Sequence, residues 1–439
     1  MNTPIYDFIT EYIERSPVRL HMPGHKGRAL LGFEDRDLTE IPGADSLYEA
    51  SGAIAESEAN ASLLFGCPTF YSTEGSSQCI RAMLFLAMQH AVSAGKTPKI
   101  LAARSVHRTF LSAAALLDAD VAWLFDETPS YLCAQSSLAS VEAAIRKERP
   151  TALYLTSPDY LGNRIDLKPI AKVCHENGVL LLVDNAHGAY LRFLTPSAHP
   201  IDLGADLCCD SAHKTLSALT GAAYLHLSPA LTNLICEAKD ALLLFGSTSP
   251  SYLILQSLDL QNPLLETLPQ RLAAFVPRLD AVKKSLAASG WTLYGSEPLK
   301  LTLLPKSRGY TGTALAALLA QSGIVCEFAD PDFTVLMFTP HNREEDLLRL
   351  ERVLTDIPAL PPIPALPPAP VRSERVCSVR QAMLSPRRTV SLSDCLNAVL
   401  ARCDVSCPPA VPIRMPGERI DSNAIEAFRY YGIDRVSVL

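Results

Sequence analysis

The sequence predicts an α/β protein: a large domain around a mostly parallel central sheet, followed by a smaller C-terminal α+β domain. Three observations carry this. Short apolar runs alternate with longer amphipathic ones through the middle of the chain, the rhythm of βαβ units. Near Trp291 the rhythm gives way to close-set strand-like segments. The chain has 439 residues, 48% hydrophobic and 19% charged, enough for two or three domains with a sizeable core.

In chain order, KILAA (99–103), TALYLT (151–156), GVLLLVD (178–184) and GAAYLHL (221–227) read as buried strands. Between them, Ser105 to Leu117, Leu138 to Lys147 and Leu167 to Asn177 have helical spacing, the last closed by Asn-Gly. A parallel sheet puts its functional loops at the carboxyl ends of the strands. Gln256 to Leu286, rich in Leu and Ala, reads as helix leading out of this domain. WTLYG, KLTLLP and FTVLMF then read as strands, and Gly312 to Ser322 as helix. Ile357 to Pro370 carries prolines that lack N–H donors and fix φ, so it reads as a stiff connector. Beyond it come a charged helical stretch and the extended segment CPPAVPIRMPGERID. The expected domains are an N-terminal segment (1–52), a large domain (53–290), a small domain (291–356), a linker (357–372) and a C-terminal region (373–439).

Charge and cysteine usage exclude several classes. With 39 Lys and Arg against 46 Asp and Glu, the net charge of −7 gives no general attraction to nucleic acid or anionic membranes. None of the gaps between the 12 cysteines is the C-x2-C of a zinc or redox motif, so no metal is expected and the thiols read as free, in a reducing cytosol. The N-terminus is too acidic for a signal peptide, and no apolar run approaches the roughly 20 residues of a membrane span. The expectation is a cytoplasmic protein with no membrane partner.

Lys214, in Asp210-Ser211-Ala212-His213-Lys214-Thr215-Leu216, stands just before the strand-like run GAAYLHL. Alone, such a lysine reads as a solvated loop residue. Its companions change that. The run GVLLLV ends in Asp184, and a carboxylate at the carboxyl end of a buried strand faces the ligand crevice, where it can keep a ring nitrogen protonated. A Schiff-base lysine and an aspartate for a pyridinium nitrogen are the two groups pyridoxal phosphate most needs. Gly75, Ser76 and Ser77 open the apolar-periodic run Cys79 to Met88, either as a simple helix cap or as a phosphate site. His107, just beyond KILAA, suits a helix start or a ring-stacking imidazole.

Phosphate loop, histidine, aspartate and lysine follow one another in the order of the fold-type I pyridoxal-phosphate enzymes. HMPGHKG (21–27), IPGADSLYEASG (41–52), FYSTEGSSQ (70–78), VDNAHGA (183–189) and SAHKTL (211–216) closely resemble the Orn/Lys/Arg decarboxylase family, over nearly the whole chain. The resemblance implies that Lys214 carries the cofactor, Asp184 pairs with the ring nitrogen, His107 stacks on the ring and His187 lies beside its hydroxyl. It places Ser76, Ser77, Ser211 and His213 around the phosphate. Ser247 and Thr248 could close a helix start or reach a neighbouring subunit's phosphate, which implies a homodimer or higher oligomer. The tail resembles the family's YPPGIP…PGE segment, with Cys407 where Tyr is usual and Ala410 where Gly is usual. Glu418 and Asp45, in family-like motifs outside the cofactor set, are the expected counter-charges for a basic substrate. The chain begins at the catalytic core and so resembles the shorter biosynthetic branch.

The leading reading is decarboxylation of arginine, lysine or ornithine for polyamine supply. Arginine comes first, because a planar guanidinium matches a carboxylate through two parallel hydrogen bonds and the shorter branch includes arginine decarboxylases. An aminotransferase or carbon–sulfur lyase is the alternative, with Arg414 and Arg419 as candidate carboxylate binders in the former. A non-catalytic protein retaining the fold is the third.

Overall fold

The computed structural model describes residues 1–125 and 128–439. Its main sheet has seven strands: β1 (Thr69–Ser72), β2 (Ile100–Ala103), β3 (Val121–Leu124), β4 (Ala152–Thr156), β5 (Leu180–Asp184), β6 (Leu207–Asp210) and β7 (Ala223–Leu227). Their order is β1-β7-β6-β5-β4-β2-β3. The pairs β2/β3 and β5/β6 are parallel, whereas β7 runs antiparallel to both β6 and β1. The run at 221–227 is therefore a buried strand, as its composition predicts, but not a parallel one. The link from β6 to β7 holds only the four-residue helix Ala212–Thr215, and a parallel crossover usually needs a longer helix. The sequence reading did not single out β1, β3 and β6, each of four residues.

The expected helices form with shifted ends. The helix Arg108–Leu117 starts after His107, whose side chain caps it. Leu138–Glu148 is capped by Ser137 and closed by Arg149 in the left-handed conformation. The Leu- and Ala-rich region resolves into Tyr252–Asp259 and Gln261–Ala288.

The chain divides into two compact units whose segments interleave along the sequence, unlike the consecutive domains composition suggests. The first comprises Met1–Pro98, Thr151–Leu153 and Leu167–Gln270; the second comprises Lys99–Pro150, Tyr154–Asp166 and Arg271–Leu439. Within the second, β8 (Leu293–Tyr294), β9 (Lys300–Leu303), β10 (Phe328–Ala329) and β11 (Thr334–Met337) form an antiparallel sheet in the order β10-β11-β9-β8. The Pro-rich connector is irregular and held by its own backbone: Leu360 N–H bonds Arg308 O and Ile363 N–H bonds Lys306 O, both at 3.0 Å.

The C-terminal region is less helical than its charge pattern suggests, because prolines interrupt it. It contains the helices Val379–Leu384 and Ser422–Tyr430 and the antiparallel pair β12 (Arg388–Ser391) and β13 (Arg435–Val438). Leu392, Leu400, Ile420, Phe428 and Val436 give this region a core of its own. All 12 cysteines are free. Among the described residues, no helix is long and apolar enough to cross a membrane.

Candidate active site

In the first unit the site is built on the tips of β5 and β6. The aliphatic run of β5 is buried throughout and ends in Asp184, itself buried. The Asp184 carboxylate accepts the Ala186 N–H at 3.1 Å, and the Cys209 thiol lies 3.7 Å away. The chain then turns tightly: Gly188 N–H bonds Asn185 O at 2.7 Å, and a Cβ on Gly188 would stand 2.0 Å from Asn185 Oδ1. That turn carries His187. After β6, the short helix Ala212–Thr215 carries Lys214, whose Nζ lies 3.0 Å from His187 Nε2. The two loops thus bring together residues 27 positions apart in sequence.

A third loop joins them. Gly75 takes φ +72, where glycine is at no disadvantage, and donates its N–H to Gly221 O at 2.7 Å. This fixes the start of the helix Gly75–Ser93, whose N-cap Glu74 makes no side-chain cap bond. Ser211 Oγ donates to Ser76 Oγ at 2.9 Å, so hydroxyls from two loops meet at that helix start. Hydroxyls at the N-terminus of a 19-residue helix are donors suited to a phosphate. His213 Nδ1 lies 3.0 Å from Ala222 O, at the entry to β7. Ser247 and Thr248 are exposed; the Ser247 N–H bonds Glu74 Oε1 at 2.6 Å and its hydroxyl accepts the Ser249 N–H.

The other expected site residues have partners that the sequence does not show. His107, in the second unit, accepts the Thr109 N–H on Nδ1 at 3.2 Å, so its imidazole serves as a helix cap. Glu418, also in the second unit and buried, is held by Arg104 through two bonds of 2.5 and 2.9 Å and accepts the Met415 N–H at 3.0 Å. In the first unit, Asp45 accepts the N–H groups of Ser46, Ser51, Gly52, Ile54 and Ala55 at the start of the helix Ala53–Phe65. Partial burial raises the Asp45 pKa, but these amides outweigh it and hold the carboxyl below the ordinary aspartate value. Both expected counter-charges, Glu418 and Asp45, thus have protein donors of their own.

The sequence reading gave no role to Asn185, His199, Asp210 and His226. They form a buried network beneath the β5 and β6 tips. The one available signal was an aspartate ending the apolar run LCCD.

The residues of the first unit fit pyridoxal phosphate by their chemistry: a lysine beside an imidazole, a buried carboxylate at a strand end, and hydroxyls at a helix start. Residues 3–302 match the family model for the Orn/Lys/Arg decarboxylase major domain. The chain belongs to the Orn/Lys/Arg decarboxylase family. It is an amino-acid decarboxylase of the pyridoxal-phosphate-dependent class, and basic amino acids are its substrate class. Among similar proteins, an arginine decarboxylase of Bacillus subtilis is 29% identical, over 96% of this chain and 92% of its own length. An uncharacterized protein of the same species, YaaO, is 28% identical over 97% of this chain and 93% of its own. The lysine decarboxylase LdcF of Francisella novicida has the same fold, with a TM-score of 0.80 at 15% identity, covering 100% of this chain and 81% of that one.

Proposed function

We propose that this decarboxylase binds pyridoxal phosphate at Lys214 and converts arginine to its decarboxylated amine, agmatine, and CO2, a step toward polyamines. The Lys214–His187 contact at 3.0 Å carries the reading. A lysine must be neutral to attack a carbonyl, and an imidazole at hydrogen-bond distance can take a proton from Nζ and return it. The Asp184 carboxylate, oriented by the Ala186 N–H, holds a proton on a ring nitrogen. Ser76, Ser211 and the first-turn amides of the helix Gly75–Ser93 bind the phosphate. The bound cofactor supplies an electron sink for the pair left at Cα when CO2 departs. His107, His213, Ser77, Ser247 and Thr248 are assigned supporting contacts to the cofactor.

Arginine is favoured because several relatives at 27–29% identity over most of their length are named arginine decarboxylases. The aminotransferase alternative is weakened by its own candidates. Arg414 is buried and bonded to Asp421, Asn423 and Val371 O, and Arg419 is bonded to Glu374 and Asn397 O, so both guanidinium groups already have protein partners. A homodimer is the proposed working form; Val18, Leu20 and Leu30, each at least 85% exposed, are apolar surface suited to a subunit contact.

The test is CO2 release from arginine, lysine and ornithine by purified, cofactor-loaded protein, with borohydride reduction and peptide mapping. The expected result is fastest release from arginine and a reduced adduct on Lys214. Keto-acid formation without CO2, or an adduct on another lysine, overturns the reading.

A further inference from the structure

Behind the tips of β5 and β6 lies a charged group for which the proposed chemistry has no use. Asp210 is completely buried. Its Oδ2 accepts Nε2–H from both His199 and His226 at 3.1 Å, its Oδ1 accepts Asn185 Nδ2–H at 2.6 Å, and the Cys208 thiol lies 3.7 Å from Oδ1. His226 Nδ1 is 2.9 Å from the Thr69 hydroxyl, which donates to Cys67 O at 3.0 Å. Burial pushes the Asp210 pKa up, yet the two imidazoles outweigh it and keep the carboxyl well below the ordinary value; burial also lowers the His226 pKa. The group is thus a buried carboxylate enclosed by three side-chain partners.

The ligand atoms of His199, Cys208 and Asp210 lie within 4.8 Å of one another, a spacing open to a metal. The carboxylate is already bonded by both imidazoles and by Asn185, however, while His199 Nδ1 and Asn185 Oδ1 are buried without a partner. For stability alone an apolar core would serve as well, because a buried charge costs more to desolvate than its bonds commonly return. What the charge does hold is Asn185. That residue's backbone N–H extends the β5/β6 pairing to Cys209 O at 3.0 Å, and its side chain reaches Asp210. Backbone and side chain together staple the two strand tips at the residue following Asp184.

We propose that Asp210 is a positioning residue: through Asn185 it fixes the turn 184–188, and with it Asp184 and His187. This rests on the reading of Lys214 and Asp184 given above. The two imidazoles aim the carboxylate, the carboxylate aims the amide, and the amide keeps the turn from relaxing. A misplacement of about 1 Å in such a constellation can cost roughly 10²-fold in rate.

The test uses Asn185→Ala, Asp210→Ala and the double variant as cofactor-loaded protein. It follows kcat, KM, the visible circular dichroism of the bound cofactor and urea unfolding. Asn185→Ala is expected to lower kcat roughly tenfold to 10²-fold with KM near wild type, and to weaken the visible dichroism. Adding Asp210→Ala to it should cost little more kcat, because the two act through one bond. Unchanged kcat and dichroism in Asn185→Ala, or losses that multiply in the double variant, overturn the role. Should Asp210→Ala not fold, Asn185→Ala decides alone, since it leaves the carboxylate and both imidazoles in place. A wild type with no visible band overturns the Lys214 reading and this role with it; a wild type with a band and unaltered variants overturns this role only.

Discussion

Asn in place of Asp184 would keep the side chain's shape and the bond from the Ala186 N–H while removing the charge. Cofactor should still bind, but turnover should fall by roughly 10²-fold or more, read as kcat on saturating substrate. Near-wild-type turnover would remove Asp184 from the ring nitrogen. Glu418→Gln has a different expectation now that its partner is known. The carboxylate and Arg104 are both largely buried, so the neutral amide strands a guanidinium, and urea unfolding should show a loss of about 3 kcal/mol. A variant of unchanged stability with a raised KM for arginine would instead make Glu418 the substrate's counter-charge. The two residues also mark how far a sequence can be read. Lys214 and Asp184 could be singled out because each is a charged residue placed directly beside a buried apolar run. The partner of Glu418 lies 314 positions away, and no spacing announces a pairing of that kind.

Between β10 and β11 the turn at Asp330–Phe333 gives an element-scale prediction. Asp330 Oδ1 accepts the N–H groups of Asp332 and Phe333, while its Oδ2 is buried without a partner. Burial pushes the carboxyl up to about 6, against the lowering effect of the Phe333 and Asp332 amides. The folded state therefore keeps a proton that the unfolded chain has already lost. The resulting stability is fully present below about pH 4 and disappears as pH rises through about 6. Asp330→Asn keeps one acceptor oxygen and has no charge to bury, so at pH 8 it should gain roughly 1–3 kcal/mol over wild type, and the gain should vanish near pH 4. Urea unfolding at the two pH values measures it; a pH-independent difference would refute it. Length alone did not decide which elements were legible: β2, β3 and β6 have four residues each, and only β2 was read as a strand. The direction of β7 followed from the connection before it, which holds only a four-residue helix.

On the scale of the whole molecule, composition suggested domains laid end to end, whereas the two units interleave, because strand pairing ignores sequence distance. Within the second unit the C-terminal region is tied to residues near 100–120. Arg375 bonds Val121 O, Arg380 bonds Ala115 O, and the Arg108 N–H bonds Ala410 O. Ala410 itself takes φ +57, a left-handed conformation in which glycine is favoured, at the position the family resemblance assigns to Gly. Truncation after Pro370 should therefore leave the helix Arg108–Leu117 open to proteolysis while the first unit stays resistant; equal resistance in both would refute the dependence. The same ties impose an order in time. On the ribosome, which adds about 5–20 residues per second, the first unit has its last segment once Gln270 emerges. Residues 99–150 are made early but must wait for partners reaching to β13, some 300 residues later by roughly 15–60 seconds of synthesis. During that interval Tyr131, whose ring stands 4.7 Å from that of Tyr431 in the finished protein, is exposed on a nascent chain, where a chaperone rather than the fold must keep it from aggregating.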